Sequence, residues 1–112
     1  MNVEKLNLEQ LFHALGDPTR LGLAERLSRG PASVKDLAAP YDMALPSVMK
    51  HLRVMTDGGL VQSKKVGRTR IYHLQLNALS LIDTWVSQRR AAWNERFDRL
   101  EQSLLEENNQ DN

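Results

Sequence analysis
All six glycines and all four prolines of this chain lie between Gly16 and Gly67, and none follows. These two residues end helices and strands, glycine because it lacks a Cβ and proline because it lacks an N–H. A chain punctuated this way folds as several short elements followed by one long uninterrupted element. With 112 residues, one domain is the expectation, since domains typically run ~100–200 residues. We place that domain at residues 1–107 and read residues 108–112 as a frayed, disordered tail.

Most breakers fall where an apolar period stops. Leu8, Leu11, Phe12 and Leu15 have helical spacing, and Gly16 is placed as a C-terminal cap. Asp17-Pro18 reads as the N-cap and first-turn proline of a second helix with Leu21, Leu23, Ala24 and Leu27 as its apolar set. Ser28 through Pro31 end it. Ser33 is expected to cap a short third helix, with Asp36 as the acidic half of a capping box. Pro40 stops that helix, because the residue before a proline is pushed out of the α region. Pro46 suits the first turn of a fourth helix over residues 45–58, which carries Val48, Leu52 and Met55 on one side and ends at Asp57-Gly58-Gly59.

Beyond those glycines the period changes. Residues 60–66 and 69–74 read as a β-hairpin turning at Gly67. A helix is then expected from about Ala78 to Glu107. Ile82, Val86, Trp93, Phe97, Leu100 and Leu104 lie near one stripe of it, which Leu79, Trp85 and Arg89 widen. Thirty helical residues would span ~45 Å, more than so small a domain covers by itself. Trp93, Phe97, Leu100 and Leu104 are therefore candidate dimerisation residues. The fold class is mostly α with a small β-hairpin.

Composition closes off several functions. Cysteine is absent, which excludes disulfides, a thiolate metal site and a cysteine nucleophile. No apolar run approaches the ~18 residues of a membrane span, and the first residues lack a basic-then-apolar signal pattern. The expected location is the cytoplasm, with no membrane partner. A Gly-rich phosphate loop and a paired His/carboxylate spacing are both missing, so no enzyme and no cofactor are expected.

The net charge of +1 is unevenly spread. Residues 45–74 hold Lys50, Arg53, Lys64, Lys65, Arg68 and Arg70 against the single acid Asp57. Both flanking segments are mildly acidic. A basic middle third suggests a surface that faces a polyanion. It coincides with two short helices joined by a tight turn and followed by a basic hairpin, an arrangement that reads double-stranded DNA. The second of those helices presents Pro46, Ser47, Lys50, His51 and Arg53 away from its apolar side. Ser47 and Lys50 carry donors for base edges or phosphates. His51 suits either DNA or packing against the preceding helix. Arg53 suits a phosphate or a neighbouring Asp, and Met49 a thymine methyl or simple packing. The hairpin sets Lys64, Lys65, Arg68 and Arg70 around one loop. His13 and His73 read as structural or surface residues, and Trp85 and Trp93 as core or dimer interface.

The runs Leu15-Gly16-Asp17-Pro18-Thr19-Arg20-Leu21, Ser47-Val48-Met49-Lys50-His51-Leu52-Arg53-Val54-Met55 and Gly58-Gly59-Leu60-Val61 occur in that order. With Gly67-Arg68-Thr69-Arg70-Ile71-Tyr72-His73-Leu74 behind them, the chain resembles the ArsR family of bacterial repressors from residue 8 to about 105. The resemblance implies a winged helix-turn-helix in the order of four helices, a two-stranded wing and a fifth helix. It also implies a homodimer built mainly from the first and last helices, binding an imperfect palindrome and released by an effector. The first helix thereby adds Leu8 and Phe12 to the candidate dimerisation residues. The chain departs from the familiar metal sensors. The stretch matching the metal box of the family, Val34-Lys35-Asp36-Leu37-Ala38-Ala39, has no cysteine, and the last helix has no histidine. No metal site is therefore expected, the chain resembles a metal-independent branch, and the identity of any small-molecule effector stays open. The competing reading is a winged-helix protein–protein adaptor without specific DNA binding.

Overall fold
The computed structural model describes residues 6–110; residues 1–5, 111 and 112 lie outside the described residues. The chain divides into two compact units, residues 1–81 and residues 82–112. The elements run α1 (Leu8–Leu15), α2 (Pro18–Leu27), β1 (Ala32–Ser33), α3 (Val34–Ala38), α4 (Leu45–Asp57), β2 (Val61–Val66), β3 (Thr69–Leu74) and α5 (Leu76–Gln110).

Caps account for most of the boundaries. The Asn7 side chain accepts from the Gln10 N–H at 3.3 Å and starts α1. The Asp17 carboxylate accepts from the Thr19 and Arg20 N–H groups at 2.9 and 3.0 Å, and Pro18 fills the first helical position of α2. Ser33 Oγ accepts from the Asp36 N–H at 3.1 Å to start α3. Helix α4 stops in a Schellman motif. The Leu60 N–H reaches the Met55 carbonyl and the Gly59 N–H reaches the Thr56 carbonyl, each at 3.0 Å, with Gly59 at φ +81°. Leu60 and Met55 are both fully buried, as the hydrophobic contact of that motif requires.

In the hairpin, Val66 pairs with Thr69, so Gly67-Arg68 is a two-residue loop. Gly67 sits at φ +63°, and no residue other than glycine among those described has positive φ. That combination is the type II′ turn, which matches the twist of the strands it joins. The sheet is antiparallel throughout, in the order β1-β3-β2. Strand β1 was not expected from the sequence; its two residues carry no period and are held by pairing Ala32 with Tyr72 and Ser33 with Ile71.

The first unit closes a core of its own. Leu11, Leu23, Leu37, Val48, Leu52, Met55, Leu60 and Val61 are sealed from solvent, with Tyr72 of β3 beside them. Helix α4 is central: it packs against α1, α2, α3 and β2. Two expectations need correction. Leu21 is 46% exposed, so the buried side of α2 is Leu23, Ala24 and Leu27 alone. Helix α5 begins at Leu76 and continues through Asn108, Asn109 and Gln110, so the supposed tail is helical as far as it is described. At 35 residues, α5 is ~52 Å long.

Candidate nucleic-acid interface
Helices α3 and α4 with their connecting turn form the helix-turn-helix, and β2 and β3 form the wing; both belong to the first unit. The buried stripe Val48–Leu52–Met55 fixes the rotation of α4. It leaves Pro46, Ser47, Lys50 and Arg53 exposed on the opposite side, together with Met49. The N-cap, Ala44, supplies no side-chain acceptor, so the positive end of the α4 dipole carries no internal anion.

His51 is placed differently. Its Nδ1 lies 3.3 Å from the Arg20 Nη1 and 3.8 Å from the Asp17 Oδ2, and the ring is about three-quarters buried. Of the two roles expected for it, packing against a preceding helix is the one this geometry displays. Arg20 is the residue that sequence reasoning left without a role. Its Nε donates to the Ala14 carbonyl at 2.9 Å and its Nη2 to the His13 carbonyl at 3.0 Å, satisfying two terminal carbonyls of α1 while its third nitrogen faces α4. Only its neighbourhood in the Asp17-Pro18-Thr19-Arg20 run hinted at this. The Arg20 N–H bond, the largest influence, holds the Asp17 carboxyl below its ordinary value of 3.8; desolvation opposes it, and His51, the Arg20 guanidinium and the Thr19 N–H add smaller lowering effects.

On the wing, Lys64, Lys65, Arg68 and Arg70 are all exposed. Arg70 donates to Ser63 Oγ at 2.9 Å, which braces it across the hairpin. Among the described residues no carboxylate pairs with any of these four cations or with Lys50 or Arg53. His13 is exposed, and His73 Nδ1 lies 3.1 Å from the Leu74 carbonyl. Among the described residues no group of three or more His, Asp or Glu side chains could hold a metal ion. No helix among them is long and apolar enough to cross a membrane.

The candidate dimerisation residues lie in both units. In the first, Leu8 is half-buried and Phe12 exposed. In the second, Trp93, Phe97, Leu100 and Leu104 each leave more than half of their surface in solvent, and Trp93 meets Phe97 edge to face at 5.0 Å.

Comparison with known proteins agrees with this geometry. A helix-turn-helix domain family matches residues 15–63. An HTH-type transcriptional regulator of Mycobacterium tuberculosis is 34% identical over 76 residues, covering 68% of this chain and 71% of that protein. The arsenical resistance operon repressor of Escherichia coli is 38% identical over 66 residues, 58% of this chain and 56% of the repressor. The match thus spans only a little over half of that repressor's length. A crystal structure of an ArsR family transcriptional regulator superposes with a TM-score of 0.74 at 41% identity, covering 78% of this chain and 96% of that one. With α3–α4, the wing and these likenesses together, the chain belongs to the ArsR family of winged helix-turn-helix, DNA-binding transcriptional regulators, a family without enzymatic activity.

Proposed function
We propose that the protein is a homodimeric repressor that seats α4 in the major groove of a palindromic operator and lays its wing along the flanking backbone. The observation that carries this reading is the position of the cations. Six Lys and Arg side chains occupy the exposed side of α4 and the wing with no acidic partner, in one compact unit with a sealed core. Ser47 and Lys50, in the first two turns of α4, read base edges. Arg53, Lys64, Lys65, Arg68 and Arg70 neutralise phosphates. His51 supports α4 through its contacts with α2 instead of reading bases.

The dimer is supported by the apolar stripe on α5, where Trp93, Phe97, Leu100 and Leu104 are each more than half exposed. A second copy, related by a two-fold axis, covers it with the same surface. Two α4 helices then meet successive major grooves ~34 Å apart. Double-stranded DNA as the partner places the protein in the cytoplasm, and occluding a promoter needs only binding. Release from DNA is assigned to a non-metal effector, because cysteine is absent and α5 has no histidine. Zinc or arsenite should therefore leave operator affinity unchanged.

The test is a salt titration of binding to the operator and to random duplex DNA. Five phosphate contacts per chain give a log–log slope of roughly −4.5 for each half-site, at about −0.9 per contact. A flat salt dependence, or equal affinity for both DNAs at every salt concentration, refutes the reading in favour of a protein–protein adaptor.

A further inference from the structure
A groove of about 660 Å³ opens between α3, the first turns of α4 and the tip of the wing. It lies wholly within the first unit, and its volume falls in the range of small-molecule sites, roughly 300–1,000 Å³. Val34, Ala38, Leu45 and Met49 give much of its lining a hydrocarbon surface. Leu45 is 51% exposed and Met49 43% exposed. Half-exposed aliphatic side chains gathered in one concavity mark a surface built to be covered. Lys35, Arg68 and Arg70 line it as well, and no Asp or Glu does. Ser33, also in the lining, has its Oγ engaged by the Asp36 N–H.

Hydrocarbon and three cations in one lining, with no acid among them, describe the complement of one ligand class. We infer that this groove binds an amphipathic monocarboxylate, a medium-chain or aryl carboxylic acid, and that the bound acid releases the protein from DNA. The carboxylate takes Arg68, whose planar fork matches it in bidentate fashion, with Lys35 and the free nitrogens of Arg70 in support. The hydrocarbon body covers Leu45 and Met49, and the Met49 thioether adapts to its shape. Release follows from shared residues, since Arg68 and Arg70 cannot serve a ligand carboxylate and DNA phosphates together. The release step rests on the proposed repressor function; binding of the acid to the free protein does not.

The experiment titrates full-length protein, without DNA, with octanoate, decanoate and dodecanoate below their micelle concentrations and follows the methionine methyl resonances. The Met49 methyl should shift while that of Met55, fully buried in the core, stays in place. Affinity should rise about three- to fourfold per added methylene. Met49→Ser and Lys35→Glu should each weaken binding severalfold, and decanol should bind far more weakly than decanoate. Decanoate should also raise the apparent operator Kd in proportion to its free concentration. A Met49 methyl that does not move, in a preparation that still binds operator, overturns the inference and leaves the repressor reading standing. Loss of operator binding with the Met49 response intact does the reverse. Equal binding of decanol overturns the choice of an anion, and binding without competition overturns the release step.

Discussion

The two units of this protein use the same kinds of apolar side chain to opposite ends. In residues 6–81, Leu11, Leu23, Leu52 and Met55 are wholly enclosed by neighbours from other helices and the sheet. In residues 82–110, Phe97 is 51% and Trp93 59% exposed, although helical spacing groups them just as regularly. The difference lies in what surrounds each stripe. Helix α4 meets four other elements, whereas α5 beyond Leu81 is a single helix, and a single helix cannot enclose its own face. Periodicity says that a face is apolar but not what will cover it. The first unit encloses its stripe of apolar side chains, and the second leaves its own more than half exposed.

The strongest way to break this comparison is to charge the second surface. Phe97→Asp with Leu100→Asp should give a monomer by sedimentation, with the first unit still folded. Operator affinity should fall by a factor of at least ~10³, towards that of non-specific binding. A variant that stays dimeric would show that α5 is not the interface. The same contrast predicts the reverse in the core. Leu52→Ala should cost ~2–5 kcal/mol of stability by urea denaturation, because a sealed side chain leaves a cavity. Leu104→Ala should cost much less once the double Asp change has made the protein a monomer. Equal costs at the two positions would erase the distinction between the units.

How far the sequence foretold this architecture depended on the range of the interactions involved. The α1–α2 junction, the stop at Gly58-Gly59 and the turn at Gly67 were all legible, because caps and turns are decided by residues one to four apart. The apolar side of α4 was legible for the same reason. Strand β1 was not, since two residues have no period and are made a strand by β3, almost forty residues away. The exposure of Leu21 was likewise invisible, because an apolar residue at helical spacing shows only which face it shares. In the candidate interface, the exposed side of α4 and the basic wing could be read directly from apolar spacing and charge. The role of Arg20 could not, for its guanidinium joins α1 to a histidine 31 positions away.

Within the first unit, the expected effects shrink from core to surface. Ser47→Ala or Lys50→Ala should cost ~1–3 kcal/mol on the operator and far less on random DNA, since base contacts carry discrimination. Thermal stability should hardly change, both side chains being exposed. Arg68→Ala should weaken binding to both DNAs by similar factors and flatten the salt slope by about one unit. If the Arg68 variant instead loses only operator binding, the wing reads sequence and the assignment of roles is wrong.

The smallest effect concerns Asp17, where the start of α2 meets Arg20 and His51. Its carboxylate caps two backbone N–H groups, and Asp17→Ala should lower the urea midpoint slightly, as N-cap removals commonly do. The pH dependence has a definite sign. The folded-state value is lowered from 3.8, chiefly by the Arg20 N–H, so the folded protein holds the proton less readily than the unfolded chain. The contribution of Asp17 is therefore fully present above the unfolded value and fades as pH falls through the folded one. Wild-type protein and the Asp17→Ala variant should differ in urea midpoint near pH 6 and converge below about pH 3.8. His51 offers an internal control, because its Nδ1 lies near the same carboxylate. If the His51→Ala variant converges over the same acid range as wild type, the backbone N–H groups dominate the cap. If the convergence moves to higher pH, the imidazole supplies most of the effect, and the ordering of causes at Asp17 is wrong.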